Sequence, residues 1–191
     1  LDISNIKNWQ KIIPEYKKNG EYSDSIRNEE GDIVSVPYLS NTDSLAYNKT
    51  KIGENINTWE ALFDSQFKGY SSIQNSLGPT FTITAIYLKQ SNKQDIKNPS
   101  NMTKDEIKGV CEFLIQMKKR GQCNKIWKSF NEGVELLANG EVLVSSCWEP
   151  MAISAQKKGT EIKYGIMKEG HLSWNNIWMF TKGGKKRGQQ K

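Results

Sequence analysis

The hydrophobic pattern changes period several times along the chain. Residues 31–38 alternate apolar with polar, as a half-buried strand does, and Pro37 marks a strand edge or a crossover. Residues 44–48 predict a second short strand. Thr58 is placed to cap a helix running through Trp59, Leu62 and Phe63, and Lys68-Gly69 stops it before a strand at 70–74. Gly78-Pro79-Thr80 opens a helix whose apolar positions are Phe81, Ile83, Ile86 and Leu88. Residues 90–102 are polar and form a loop. Thr103 with Glu106 and Ser129 with Glu132 are spaced as capping boxes, each ahead of a helical apolar pattern. The first helix carries Ile107, Val110, Cys111, Leu114 and Met117 and ends at Gly121; the second carries Val134 and Leu137 and ends at Asn139-Gly140. A strand at 141–148, a helix from Pro150 to Gly159, and strands at 162–167 and 174–180 complete the series. The opening, residues 5–20, reads as loop with short helical turns.

Strands alternating with helices of ordinary length predict an α/β fold with a largely parallel or mixed sheet. Ligands in such sheets bind beyond the carboxyl ends of the strands, beside free helix N-terminal amides. Two places meet that description. Asn75 and Ser76 follow one strand and precede a helix; Trp148 and Glu149 follow another strand and precede another helix.

Composition narrows the chemistry. A chain of 191 residues is long enough to bury roughly 70% of the surface of its unfolded form without metal or disulfide staples. The net charge of +6 gathers at the end, in residues 182–191. That tail reads as a solvated turn or as a nucleic-acid contact, and no nucleic-acid-binding motif accompanies it. With three cysteines and one histidine, a four-ligand zinc site cannot be assembled at ordinary spacing. A Cys111–Cys123 disulfide would leave one thiol over; unpaired thiols suit the count as well. Catalysis would need a nucleophile and a base, and only Cys147 and His171 offer the pair, outside any local signature. No P-loop, dinucleotide fingerprint or paired-acid motif is present. The chain is therefore expected not to be an enzyme and to need no cofactor or metal. Asn48-Lys49-Thr50 and Asn101-Met102-Thr103 have the glycosylation spacing, which is common by chance.

The order of several short segments is informative together. They are Val36-Pro37-Tyr38, Leu45-Ala46-Tyr47-Asn48, Thr58-Trp59-Glu60-Ala61-Leu62-Phe63, Phe67-Lys68-Gly69, Leu137-Ala138-Asn139-Gly140-Glu141-Val142, Ser146-Cys147-Trp148, Lys168-Glu169-Gly170 and Trp174. The series resembles bacterial extracellular solute-binding proteins of the spermidine/putrescine-binding kind, which feed ABC importers. The resemblance implies a type II periplasmic-binding-protein-like fold of two lobes joined by a crossover hinge, closing on a small-molecule ligand. It implies a partial lobe one at residues 1–42, lobe two at 43–169 and a return into lobe one at 170–191, so that the chain is a fragment with lobe one incomplete. It implies, further, a permease as partner, no nucleic acid, a monomer, and a place in the periplasm or on the extracellular face of a bacterial membrane.

The resemblance also implies site residues. Trp148 and Trp174 match the family's two aromatic positions. The acid two residues beyond the second is Asn176 here, and the acids after the Lys-Gly strand fall near Asn75, Ser76 and Pro79. Glu149 is then the anion left beside Trp148. A site with one carboxylate is expected to favour a small nitrogen-containing solute with at most one cationic end; the alternative is a sugar, which neutral amides suit. Thr80, Tyr38, Thr42 and Asp43 complete the candidates, the last three at the first crossover. Each has a plain structural role beside the functional one: Asn75 or Ser76 as helix cap, Glu149 as a first-turn acid, and the tryptophans as core. Trp9, Trp59, Trp127 and Trp178 are read as core or surface-packing residues, and His171 as a loop residue.

Overall fold

The structure, a computed structural model, describes residues 1–17 and 26–179. The basic tail and Phe180 at the end of the last expected strand lie outside the described residues, as does the end of the opening segment. Short 3-10 turns at Ile3–Asn5 and Trp9–Lys11 lead to α1 (Pro14–Lys17), as the irregular pattern there predicts. The elements that follow are β1 (Ser35–Asn48), α2 (Lys49–Ile52), 3-10 turns at Trp59–Leu62 and Ser65–Phe67, β2 (Ser71–Gln74), α3 (Leu77–Gln90) and α4 (Lys104–Lys119). After them come β3 (Lys125–Trp127), α5 (Phe130–Ala138), β4 (Val144–Trp148), α6 (Glu149–Gln156), β5 (Ile162–Tyr164) and β6 (Leu172–Met179).

The sheet is mixed, in the order β3-β2-β4-β1-β5, with β6 pairing β1 off that path. β2 runs parallel to β3 and β4, whereas β1 is antiparallel to β4 and β5. The chain divides into two compact units. Unit 1 is Leu1–Asn41 with Ser173–Lys191, and unit 2 is Thr42–Leu172.

Unit 2 has a core on each face of the sheet. Alternation along β1 sends Leu45 and Tyr47 to one side, where they meet Trp59, Leu62, Ile83, Leu88, Val110 and Val144. Ala46 goes to the other, with Trp127, Val134, Leu137, Met151 and Ile162. Gly165 shows how tightly β1 is held at its edge. Its N–H donates to the Leu45 carbonyl at 2.8 Å. A Cβ there would lie 2.8 Å from the Ile56 carbonyl oxygen and 3.3 Å from that of Leu45, and neither backbone group can swing away.

Several elements differ from the pattern-based expectation. The two strands expected around Pro37 are one continuous β1, because Pro37 lies in the stretch of β1 that belongs to unit 1, before the ladders to β4 and β5 begin at Asp43 and Ala46. The helix after Thr58 is a single 3-10 turn, with Thr58 Oγ1 accepting from the Glu60 N–H. β3 has no alternating signal, being only three residues long with Trp127 alone buried. β4 begins at Val144, since Val142 and Leu143 bond to Leu136 and Tyr70 in the approach to it. At Ser129 only half of the capping box forms: Ser129 accepts from the Glu132 N–H, while the Glu132 carboxylate accepts from Lys128 N–H at 2.7 Å. The box at Thr103 is complete. Asn48, the first glycosylation-type asparagine, is buried and caps α2 through its side chain. All three cysteines are free thiols.

Two outcomes follow from these contacts. Gly165→Ala is expected to lower stability by about 1–3 kcal/mol, from overpacking against fixed backbone, and denaturant unfolding measures it. The Glu106 carboxylate accepts from the Thr103 and Lys97 N–H groups, and these bonds hold its pKa below the ordinary 4.5. A depressed acid stabilises the fold above its ordinary pKa and loses that contribution as pH falls through the folded value. The difference in melting temperature between the parent and Glu106→Gln is therefore expected to be full at pH 7 and to shrink below about pH 4.5. A difference that stays constant across that range would contradict the assignment.

Candidate functional site

β2, β3 and β4 are parallel, so their carboxyl ends, Gln74, Trp127 and Trp148, come to one edge of unit 2. The loops there are short and tied to the sheet. Asn75 N–H donates to the Trp127 carbonyl at 2.8 Å, and Gln74 N–H donates to Ser146 Oγ at 3.1 Å. These bonds place Asn75 exposed and Ser76 half-buried at the start of α3. Ser76 occupies the N-cap position without a side-chain cap bond. Thr80 is buried, and its hydroxyl donates to the Gln74 carbonyl at 2.7 Å, which stitches the helix to the strand end.

Trp148 closes β4 and caps α6. It is half-buried and stands edge-on to Trp127, with ring centroids 5.3 Å apart at 84°. Trp127 is itself locked, because its indole N–H donates to the Ser146 carbonyl at 3.0 Å within the core. Glu149 follows, exposed, in the first turn of α6.

The antiparallel neighbour brings further groups to this edge. In the ladder Asp43 is directly opposite Trp148 and Ser44 opposite Cys147. Asp43 is only 3% exposed. Sequence reasoning placed Thr42 and Asp43 at the crossover and put Tyr164 in a strand without naming it a site residue. The Tyr164 hydroxyl donates to the Thr42 carbonyl at 2.6 Å, with Thr42 Oγ1 3.4 Å away. Burial pushes the Tyr164 pKa well above the usual phenol range, and the charges of Asp43 and Glu149 add to the rise. No pattern in residues 162–164 distinguishes this tyrosine from an ordinary strand residue; the signal lies in long-range pairing.

Cys147 does not have the surroundings of a nucleophile. Burial, with Asp43 nearby, holds its thiol far above the usual range, and Sγ donates to the Trp148 carbonyl at 2.9 Å. His171 lies outside helix and strand, as its loop reading predicts, and its Nδ1 is buried without a hydrogen-bond partner among the described residues.

Unit 1 carries the remaining candidates. Trp174 and Asn176 are half-buried on β6, and strand alternation puts Trp178 on the same face. Trp178 is 66% exposed and tilts over Tyr38 of β1 at 5.1 Å, which is the surface form of the packing role read for it. Trp9, Trp59 and Trp127 are buried packing residues, as expected. A cavity of about 360 Å³ in unit 1 is lined by Ile12, Tyr16, Pro37 and Tyr38 among others.

Residues 1–189 match the family model of bacterial extracellular solute-binding proteins. The chain belongs to that family. Three solved structures show the same fold. A protein of Listeria monocytogenes described as a spermidine/putrescine ABC transporter is 19% identical, with a TM-score of 0.71, over 94% of this chain and 50% of its own. The spermidine/putrescine ABC transporter substrate-binding protein PotD of Streptococcus pneumoniae is 14% identical, with a TM-score of 0.63, over 84% and 50%. The TpPotD lipoprotein of Treponema pallidum is 15% identical, with a TM-score of 0.66, over 97% and 55%. This solute-binding family member thus spans about half the length of the solved relatives. No curated protein sequence matches it. The family and these relatives are solute-binding proteins of ABC transporters and not enzymes. Family membership points to an extracytoplasmic location, and among the described residues no helix is long and apolar enough to cross a membrane.

The environment of Tyr164 can be read directly. In an alkaline absorbance titration of the whole chain, Tyr164 is expected to be among the last phenols to ionise, and Tyr164→Phe is expected to remove that late step. An unchanged late step in the variant would show that Tyr164 is not so enclosed.

Proposed function

We propose that this protein is the extracytoplasmic substrate-binding component of an ABC importer, presenting a small nitrogen-containing organic solute to a membrane permease. The observation that carries this reading is Trp148. It ends a strand at the carboxyl edge of the sheet, is braced edge-on by a locked Trp127, and has a carboxylate on the next residue. An aromatic face held this way suits an aliphatic or planar solute body, and cation–π contact with an ammonium or guanidinium adds about 0.5–2 kcal/mol. Asn75 and Ser76, on the neighbouring strand end, supply neutral hydrogen-bonding groups for the rest of the solute. In unit 1 the half-buried Trp174 and Asn176, with Tyr38, offer the same combination of ring and amide. The family supports the solute-binding role, and the polyamine relatives support a nitrogen-containing solute. The second reading is a sugar, favoured by the neutral Asn75 and Asn176.

Calorimetric titration of the chain with putrescine, spermidine, glycine betaine, amino acids and glucose tests this proposal. The expected result is binding of a nitrogen-containing probe, weakened in Trp148→Ala by about 2 kcal/mol, roughly thirtyfold. Glucose as the sole binder would favour the second reading. Trp148→Ala binding as tightly as the parent would remove Trp148 from the site.

A further inference from the structure

β3 is the outermost strand at its end of the sheet, and among the described residues no strand pairs with its outer side. The Trp127 carbonyl accepts from Asn75 N–H, so residue 127 faces β2, and the N–H and C=O of the residue before it, Ile126, point outward. An open strand edge of this kind is a template for pairing with another extended segment. Beside it, between α4 and the sheet, lies an apolar groove of about 200 Å³ lined by Ile73, Leu114, Ile115, Met117, Cys123 and Ile126. Ile115 is 52% exposed and Ile126 39%, so the apolar surface runs from the groove onto the strand edge.

The groove has a basic margin. Lys118 lines it, and Lys119 and Arg120 follow, all three exposed. Residues 113–131 hold five basic side chains and no acidic one. Lys118 and Lys119 complement the dipole of α4 at its last turn, but the run continues past the helix to Lys125 and Lys128, at the strand edge itself. Lys125 is paired with Glu141 at 2.8 Å; among the described residues Lys118, Lys119, Arg120 and Lys128 make no ion pair.

We propose that this edge of unit 2 docks an extended acidic segment of a partner protein, one that carries an apolar anchor among its carboxylates. The segment lies along β3 and pairs with the outward groups of Ile126. Its apolar side chain enters the groove, and its carboxylates meet Lys118, Lys119 and Arg120. Main-chain bonding at one residue orients the segment, while the groove and the charges carry affinity and choice of partner. The same features disfavour other occupants. A second copy of this chain has a net charge of +6 and would set one basic margin against another. A lipid surface uses neither a concave groove nor outward main-chain groups. The docking surface does not depend on the role of Trp148.

The test is fluorescence anisotropy of the full chain with a labelled, capped peptide of glutamates around two valines. Three altered peptides accompany it: lysine for glutamate, serine for valine, and N-methylation of the backbone amides. The expected result is saturable binding of the first peptide, weakened as salt rises and at least tenfold weaker for each altered peptide. Lys118→Glu/Lys119→Glu is expected to lose tenfold or more and Ile115→Ser threefold or more. Lys157→Glu/Lys163→Glu, an equal charge change at the β5 end of the sheet, is expected to change affinity less than twofold. Thermal unfolding checks that each variant folds, and the altered peptides probe the surface without changing the protein. Absence of peptide binding overturns the proposal, as does equal weakening by the two double variants. Undiminished binding of the N-methylated peptide overturns docking by strand addition. Sedimentation with phosphatidylglycerol vesicles in place of peptide binding would assign the surface to lipid, and dimerisation lost in Ile115→Ser would assign it to a second copy; either overturns the proposal.

Discussion

The antiparallel pairing of β1 with β4 is the constraint on which the candidate face of unit 2 depends. Parallel strands alone would bring only Gln74, Trp127 and Trp148 to the carboxyl edge. Because β1 runs the other way, its entry into unit 2 is what lies against the exit of β4, and Asp43 meets Trp148. The same reversal lets β5 return Tyr164 to the Thr42 carbonyl. One strand thus supplies a buried acid and the carbonyl that anchors Tyr164, while the parallel strands supply the ring and the helix starts.

That pairing is made with an unusually polar strand set. Ser44, Ser71, Ser72, Ser145 and Ser146 are all buried in the middle of the sheet. Most hydroxyls are used: Ser44 donates to the Gly165 carbonyl at 2.5 Å, Ser71 to the Gln122 carbonyl at 2.8 Å, and Ser146 accepts from Gln74 N–H. A buried hydroxyl costs free energy unless bonded, so each of these bonds fixes geometry as well as satisfying a group. The bonds to Gln74 and Gly165 lie next to the strand ends that carry Asn75 and Tyr164. Rigidity of the edge is therefore built from small polar side chains in the sheet, and the tryptophan pair rests on that base.

The sequence was legible where local chemistry decides structure. Thr103 with Glu106, Pro79 at the start of α3 and the helical spacing of Val110 and Met117 all express short-range preferences, and the structure has them. The same holds for the strand–turn–helix junctions at Asn75 and at Trp148, which define the candidate face. It was not legible where tertiary pairing overrides local signals. Pro37 reads as a break, yet it lies inside a 14-residue strand, ahead of the ladders to β4 and β5. β3 owes its existence to the Ser72, Ile73 and Gln74 register against β2 and not to its own three residues. Asp43 and Trp148 are far apart in sequence, and only the register makes them neighbours.

Asp43 and Glu149 are held in contrasting ways near one ring. Both acids adjoin Trp148, one by sequence and one by ladder, yet they have different physics. The exposed acid on the helix can be gained or lost with small effect on folding, because water solvates either state. The buried acid cannot, because a carboxyl in that position is tied to the packing around it and removing its partners leaves an expensive group behind. The acid inside the ladder is thus part of the packing of the strand pair, and the acid on the helix start is not. Only the register of the strand running the other way brings Asp43 opposite Trp148.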